Sequence, residues 1–360
     1  MSQENKNYRV QQIKIKKGHR MYNYFDDMSF KAKNLYNVSN FYIRQCLTGA
    51  KKDQDKLTVN EKEAIELINN SIPILNQSKV DNYHKRLDRE AKKPETERRK
   101  VKEPSQYELI AEDNSFLGYD LLEGVLRLNN QVDYMALPAH VNQQVLKRLL
   151  IKDWKSFFKA NQGYKINPDK YTGKPRPPKY AKKNGRKPVI FTNQVCTVKN
   201  NKYLKFPKTK LQLNIGKYGL GYNGKLKEVR VLPRSNHYIV EVVFELTKID
   251  KDLIDNRTSK RVIGIDLGID NFATIANNVG KKPIIIKGKT LKSINQYYNK
   301  ERAYYYGILR QGKSQKEGQF TSKKLQKLDE KRNAKVKDFM HKASRLVVDY
   351  AVENDIDTIV

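Results

Sequence analysis

The sequence predicts a multidomain α+β protein: an antiparallel β-barrel, an α-helical lobe inserted into it, and an incomplete α/β domain at the end. Three observations predict this class. Residues 189–246 contain short alternating strands, and apolar residues recur at helical spacing ahead of them. Residues 262–269 form an apolar, β-branched run with one central carboxylate, which begins a series of strands followed by helices. The third is length, since 360 residues exceed one typical domain.

Domain boundaries are expected where these patterns change. Residues 1–20 supply the first barrel strand, residues 21–185 the helical lobe, residues 186–255 the rest of the barrel, and residues 256–360 the final domain. A polar linker at residues 250–261 leads into that domain.

Composition indicates a polyanionic partner. The chain has 72 Lys and Arg against 39 Asp and Glu, a formal net charge of +33. Such a surface binds phosphate backbones by counterion release. Because the sequence shows no long apolar run and no signal pattern, we expect no membrane association and a cytoplasmic protein. Cys46 and Cys196 are too few for a disulfide framework or a cysteine-based zinc site.

The first elements are a strand and a helix. Residues 8–16 alternate as a strand, and residues 24–47 have helical spacing that ends at Gly49. The helix mixes aromatic and basic side chains, so core packing and nucleic-acid contact are both open, with core packing favoured. Residues 50–103 are highly charged with one short helical pattern at 61–68, and we expect a variable insertion with solvated faces.

Pro138 begins a long helix that forms the core of the lobe, with apolar residues at steps of three and four through Phe157. A stiff basic loop follows at residues 173–180. Its Arg176, Lys179 and Tyr180 are predicted to contact nucleic acid, because a proline-rich loop holds side chains against a backbone with little loss of entropy. A solvated connector is the alternative.

The barrel is predicted from six short strands and the turns between them. Glycines at 216, 219, 221 and 224 and Pro233 mark turns, and the opening strand completes the barrel. The six strands are residues 189–192, 195–198, 203–206, 211–215, 228–232 and 238–246.

The final domain is predicted to have the order β-β-β-α-β. Strands at 262–269, 272–276 and 283–286 precede two long helical stretches at 289–310 and 322–353, and a last strand begins near residue 357. With two helical stretches between the third strand and the last, this order matches the first part of an RNase H-like fold.

Asp266 is the candidate catalytic and metal-binding residue. A carboxylate in a buried strand is costly unless it is paired, hydrogen-bonded or bound to a metal. In such a fold it would bridge two divalent cations that act on a phosphodiester. Two cations need several acidic ligands. Asp270 is the nearest acid in the sequence, but it lies just past the strand, where a turn residue is the favoured interpretation.

The last long helix is basic over much of its surface. Lys331, Arg332 and Lys342 are predicted to contact a phosphate backbone, and an ordinary solvated face is the alternative.

Six motifs in order resemble the TnpB family of transposon-encoded, RNA-guided nucleases, relatives of type V CRISPR effectors that are often labelled transposases. They are residues 137–146, 154–158, the Pro-Arg-Pro-Pro-Lys-Tyr loop at 175–180, Phe-Thr-Asn-Gln at 191–194, Gly-Ile-Asp-Leu-Gly at 264–268 and His-Lys-Ala-Ser at 341–344. The resemblance covers nearly all of the chain except the charged insertion, and it adds Asn193 and Gln194 to the predicted nucleic-acid contacts.

The resemblance implies a wedge-like barrel, a helical recognition lobe and a RuvC-like nuclease domain. It also implies a guide RNA transcribed from the transposon end, double-stranded target DNA, and a prokaryotic, nucleoid-associated protein. Base pairing would supply the sequence specificity, while the protein reads duplex shape and backbone. Asp266 would be the first metal-binding acid, and Mg²⁺ would be the metal.

The sequence departs from the family near its end. Family members carry a later Glu, a second catalytic Asp and a Cys-rich zinc module, and none of these is present by residue 360. We therefore expect a truncated member that is inactive alone, with two-metal cleavage restricted to the complete protein. A nuclease-deficient regulator that binds guide RNA or DNA is the alternative, and a generic basic protein with a structural Asp266 is a third.

Overall fold

The computed structural model describes residues 8–216, 224–246, 261–314 and 317–360. The chain divides into two compact units, Met1–Lys248 and Ile249–Val360. The predicted boundary at residues 255 and 256, almost all of the predicted linker, and the predicted turns at Gly219 and Gly221 lie outside the described residues. None of the described helices combines the length and apolar character needed to cross a membrane.

The first unit contains two antiparallel sheets. Its strands are β1 Tyr8–Lys16, β2 Val189–Thr192, β3 Thr197–Lys199, β4 Tyr203–Lys205, β5 Gln212–Asn214, β6 Gly224–Pro233 and β7 His237–Leu246. One sheet has the order β1-β7-β6-β2, and the other has the order β3-β4-β5. Strand β1 pairs along all of β7, from Tyr8 opposite Glu245 to Lys16 opposite His237, which confirms that the opening strand joins the later ones.

The closed barrel is a wrong prediction for the described residues. Strands β3 to β5 are three residues each and pair with one another, so they do not bridge β1 and β2, which stay at the edges of the larger sheet. Alternating patterns specify which face of a strand is buried, but they do not specify which strands pair.

The helices of the first unit pack on the larger sheet and on one another. They are α1 Tyr22–Gly49, α2 Val59–Ala91, α3 Tyr119–Leu128, α4 Val132–Met135, α5 Ala139–Gln144 and α6 Lys152–Ile166. A π-helical turn, Val145–Ile151, joins α5 to α6 into one long helix after Pro138, as predicted. Leu35 of α1 is fully buried, and Val38 and Tyr42 pack against the core. Core packing, the favoured interpretation of this helix, is therefore confirmed for these residues.

Most of the charged insertion is one long helix, whose second half has the solvated faces that the sequence predicted. Helix α2 has 33 residues and begins at a capping box formed by Thr58 and Glu61. Its first half buries Ala64, Ile68 and Ile72 at helical spacing, so that half belongs to the core of the lobe. The short pattern at residues 61–68 predicted where this helix begins but not its length.

The second unit has the predicted element order. Strands β8 Val262–Leu267, β9 Asn271–Asn277 and β10 Ile284–Lys287 precede helices α7 Lys289–Arg310 and α8 Lys323–Glu353, and strand β11 Thr358–Ile359 follows. The sheet order is β10-β9-β8-β11, in which β8 is central. Strand β11 is parallel to β8 and pairs with its first two residues, while β8, β9 and β10 are antiparallel.

Candidate functional site

Asp266 lies near the end of the central strand β8, opposite Thr274 of β9. Thr274 in turn lies opposite Ile285 of β10, so the three residues form a row across the sheet. Asp266 is exposed, and Ile285 in the same row is 51 % exposed. The expectation of a buried carboxylate is therefore wrong.

The reason is that one face of β8 is covered and the other is open. Ile263 is fully buried and Ile265 packs against the same cluster, together with Ile275 and Ile356. Gly264 precedes Asp266 on the other face, where a Cβ atom would meet nothing within 4 Å. The apolar run predicted burial on both faces, but Gly264 and Asp266 on the second face are exposed.

Two neighbouring carboxylates differ in their partners. Within the described part of the chain, the Asp266 carboxylate has no hydrogen-bond or ion-pair partner. Asp270 in the β8–β9 turn accepts a hydrogen bond from Lys292 Nζ, and this contact lowers the pKa of Asp270. The Asp270 carbonyl also accepts from the Gly288 N–H at 2.7 Å. Asp270 thus ties the turn to the start of α7, which agrees with a turn role.

The described residues do not complete a metal centre. Among them, no three His, Cys, Asp or Glu side chains lie close enough together to hold one ion. Burial raises the pKa of both Cys46 and Cys196 to about 12, so neither is a thiolate at neutral pH. Asp266 is an accessible oxygen ligand that fits Mg²⁺ chemically, but a two-metal site needs several such ligands.

The predicted basic residues of α8 separate into two places. Lys331 and Arg332 line a groove of about 300 Å³ between α7 and α8. Lys342 lies further along, where its Nζ is 2.8 Å from a carboxylate oxygen of Asp338 and both side chains are exposed. An exposed pair of this kind contributes little to stability and leaves Lys342 available for exchange with a phosphate.

The α7–α8 groove also contains aromatic side chains that the sequence interpretation missed. Tyr297 and Tyr298 line it together with Lys331, Arg332 and Lys335. The tyrosine pair beside Lys and Arg in a predicted helix was a visible signal, since aromatic and basic residues together are typical of nucleic-acid contacts.

The basic loop is held on α1 by three side chains. We call residues 175–181 the strap. The Pro178 carbonyl accepts from Asn40 Nδ2 at 3.2 Å and from Arg44 Nη2 at 2.6 Å. Asn37 pairs with the backbone of Ala181 twice, accepting from its N–H at 2.8 Å and donating to its carbonyl at 3.0 Å.

The strap exposes the residues predicted to bind nucleic acid. Arg176 and Lys179 are exposed, and Tyr180 is 46 % exposed with the Arg44 guanidinium 5.2 Å from its ring centre. Arg176 and Lys179 line a groove of about 510 Å³ together with Lys187. The strap is therefore an anchored cationic surface rather than a free connector.

The anchors were missed, although a signal for them exists. Asn37, Asn40 and Arg44 follow one another at steps of three and four within an otherwise apolar helix stripe. Their partners, however, are backbone groups more than 130 residues away, which no local pattern identifies.

Asn193 and Gln194 lie in an exposed turn directly after β2. The Asn193 N–H donates to the Lys227 carbonyl at 3.3 Å, and the Val195 and Cys196 N–H groups donate to the Thr192 carbonyl. The turn thus presents both amide side chains outward, away from the buried Phe191 and Cys196 on either side.

The comparisons with known proteins bear on the second unit above all. Residues 240–360 match the family described as OrfB_IS605, probable transposase. The predicted resemblance to transposon-encoded proteins is confirmed there. No curated protein matches the chain. One similar solved structure is a cryo-EM structure of a Cas12f1–sgRNA–target DNA complex, with 12% identity over 99% of this chain and 81% of that chain and a TM-score of 0.38. Another is a CRISPR–Cas12f ternary complex, with 12% identity over 98% of this chain and 79% of that chain and a TM-score of 0.25.

The probable transposase domain contains part of the predicted site. Asp266, Lys331, Arg332 and Lys342 lie within the matched residues. The strap residues and the turn at Asn193 and Gln194 precede the probable transposase domain and belong to the first unit.

Proposed function

We propose that this chain is an RNA-guided DNA-binding protein of a transposon-encoded nuclease family. The observation that carries the proposal is the exposed Asp266 carboxylate on the central strand of the probable transposase domain, without a cationic partner among the described residues. A free carboxylate at a sheet surface suits a divalent cation.

Mg²⁺ is the metal that we propose for this family site. When bound, a pair of such ions would activate water and stabilise the leaving oxygen of a phosphodiester. Asp266 is the described residue that would hold an ion, and it supplies one carboxylate where several are needed. We therefore propose that the chain as given binds nucleic acid without cutting it.

The guide RNA and the target DNA are the proposed partners. The strap offers Arg176, Lys179 and Tyr180 on an anchored backbone, so these side chains bind phosphates with little further ordering. Asn193 and Gln194 offer amide groups in an exposed turn, and Lys342 offers an exchangeable ammonium. These residues remain the proposed nucleic-acid contacts outside the α7–α8 groove.

A regulator that binds guide RNA or DNA and never cleaves is the second candidate. The lone carboxylate favours it, because the described residues lack a cluster of metal ligands. The two candidates agree on RNA binding and differ in whether nuclease chemistry ever occurs at Asp266.

Binding and cleavage are tested together with the purified full chain. We expect RNA transcribed from the transposon end to bind more tightly than a scrambled RNA of equal length at the same salt concentration. Because both carry the same phosphate charge, such a difference cannot come from non-specific electrostatic binding. A gel-shift titration measures this difference. We also expect a plasmid with a matching target to stay uncut in Mg²⁺.

Asp266→Ala and Asp88→Ala provide the matched pair, because both aspartates are exposed and Asp88 lies on α2, which carries none of the proposed nucleic-acid contacts. Neither change should alter RNA binding. Equal binding of the two RNAs would contradict the guide-RNA proposal. Cleavage by the chain would contradict the proposal that it binds without cutting and would also exclude the regulator. Cleavage that survives Asp266→Ala would remove Asp266 from the catalytic site.

A further inference from the structure

The α7–α8 groove has a lining that differs from the rest of the basic surface. Its volume of about 300 Å³ is at the lower end of the range for small-ligand sites. Ile294 and Leu328 supply apolar contacts, Ser293 supplies a hydroxyl group, and three cations and two tyrosines complete the lining, in which none of the described residues is acidic. An anion with a flat apolar part fits such a site.

One side of the groove is held in place by hydrogen bonds. Arg332 donates from Nε to Asn295 Oδ1 at 2.9 Å and from Nη1 to Asn333 Oδ1 at 3.0 Å. Its guanidinium lies 5.8 Å from the ring centre of Tyr298. The Tyr298 hydroxyl donates to Asp329 Oδ1 at 2.7 Å. These contacts fix Arg332 and Tyr298 before any ligand binds, which reduces the entropy lost on binding.

The protonation state of Tyr298 favours the same arrangement. Partial burial, and then the hydrogen bond to Asp329, raise the pKa of Tyr298. The phenol is therefore neutral at physiological pH, so it donates a proton to Asp329 and does not repel an anion in the groove.

The other side of the groove is open. Tyr297 is 53 % exposed, so one face of its ring is available to a ligand. Lys331 and Lys335 are exposed and lie one helical turn apart, where like charges repel each other. A phosphate between them would relieve this repulsion.

We propose that the α7–α8 groove binds an unpaired nucleotide of a nucleic-acid strand. The base stacks on Tyr297, and the adjoining phosphate lies between Lys331 and Lys335. A duplex does not fit this role, because its bases are already stacked on one another, whereas aromatic platforms take up bases of single strands without strong sequence preference. The proposal rests on the proposed function only in assuming that the protein binds nucleic acid.

The test compares two strands of equal charge on the full chain. One is a labelled thymidine strand of about ten nucleotides, within the range of known single-strand sites, and the other is the same backbone without bases. We expect Tyr297→Ala to weaken binding of the thymidine strand roughly 5-fold to 150-fold, the range for loss of one stacked base. Binding of the abasic strand should not change, and Tyr297→Phe should retain wild-type binding of both.

The matched control is Tyr304→Ala. Tyr304 lies on the same helix, is 63 % exposed and does not line the groove, so its loss should affect neither strand. Lys331→Gln should weaken both strands equally and lower the salt dependence by about one phosphate contact. Fluorescence anisotropy measures all of these affinities.

Photocrosslinking locates the base directly, which matters because many other basic surfaces bind the same strand. A thymidine strand with one 5-iodouracil should crosslink to the tryptic peptide that contains Tyr297. Crosslinks confined to other peptides, or equal losses of both strands in Tyr297→Ala, would overturn the proposal. If both tests succeed but the transposon-end and scrambled RNAs bind equally, the groove proposal is supported and the guide-RNA proposal is contradicted. If both tests fail but the transposon-end RNA binds more tightly, the groove proposal alone is contradicted.

Discussion

At the residue scale, Glu61 and Asp266 are carboxylates with opposite surroundings. Glu61 is 4 % exposed and accepts from Lys52 Nζ through both oxygens at 2.8 Å. It also accepts from the N–H of Thr58 at 3.0 Å, which closes the capping box of α2. Asp266 is exposed and lacks a partner among the described residues. Glu61 therefore stabilises the fold, while Asp266 is available for a ligand.

We expect Glu61 to make stability depend on pH. The hydrogen bond from Lys52, followed by that from the Thr58 N–H, lowers the pKa of Glu61 from 4.5 to about 2. Since the folded pKa is below the unfolded one, this stabilisation is present above about pH 4.5 and is lost as the pH falls towards 2. Glu61→Gln should cost about 1.5–3 kcal/mol at pH 7, the range for hydrogen bonds to a charged group. Urea unfolding at pH 7 and pH 3 measures the cost.

Asp53→Asn is the control for this change. Asp53 pairs with Lys56 at the surface, where the two side chains are 72% and 67% exposed, so its replacement should cost at most about 1 kcal/mol. A cost of Glu61→Gln that is the same at both pH values would contradict the assigned role of the ionised carboxylate.

The sequence predicted that Asp266 is chemically special, but for a reason that the structure corrects. Ile263 and Ile265 sit on the covered face of β8, and the β-branched pattern there was a sound indicator of a strand. Whether the second face is covered depends on elements distant in sequence, so the pattern could not decide it. What singles out Asp266 is its exposed position on the central strand of the sheet, and not burial.

At the scale of elements, the strap connects the core to the proposed nucleic-acid surface. Helix α1 buries Leu35 and Ile43 on its inner face and uses Asn37, Asn40 and Arg44 to hold the strap. Asn40 also accepts from Trp154 Nε1 of α6 at 3.0 Å. Asn40 thereby links the strap on α1 to α6.

We expect Asn37→Ala to loosen the strap without unfolding the lobe. It removes two hydrogen bonds to Ala181, worth roughly 1–3 kcal/mol together. Trypsin should then cleave after Lys179 about 5-fold to 150-fold faster, because cleavage follows the population of the open strap. Bonds after Lys174 and Arg176 precede prolines and resist trypsin, so Lys179 reports on the strap alone.

Asn34→Ala is the matched control, since Asn34 lies one turn earlier on α1 and has no hydrogen bond to the strap among the described residues. It should leave the cleavage rate unchanged. If Asn37→Ala and Asn34→Ala are cleaved equally fast, the two hydrogen bonds do not hold the strap closed.

Elements with regular hydrophobic periodicity could be predicted from the sequence, but the elements with which they pair or pack could not. The helix at residues 289–310 was predicted with the bounds that α7 has, because its apolar and aromatic residues keep helical spacing throughout. Helix α2 was missed beyond residue 68 because Pro73, a residue type that normally ends a helix, lies inside it and most residues after Leu75 are charged or polar. The barrel failed for a third reason, since closure depends on pairing between strands far apart in sequence.

At the scale of the whole molecule, the two units differ in how much apolar surface they bury. The first unit has a continuous cluster that includes Phe25, Tyr36, Phe191 and Phe206. In the second unit the cluster of buried residues is Ile263, Ile275 and Ile356, and the described part of α7 has no buried residue. Since burial of apolar surface is the main stabilising contribution, the second unit is expected to be the less stable one.

Hydrogen exchange of the full chain tests this difference. Amides of Ile263 and Ile275 should exchange at least about tenfold faster than those of Val240 and Val242, which corresponds to about 1.4 kcal/mol in opening free energy. All four side chains are fully buried in central strands, so local exposure does not account for the contrast. A single-stranded oligonucleotide that fills the α7–α8 groove should slow exchange in the second unit, because a ligand that binds the folded form stabilises it. Equal protection of the four amides without ligand would mean that the small cluster is supported by contacts beyond those of buried apolar residues.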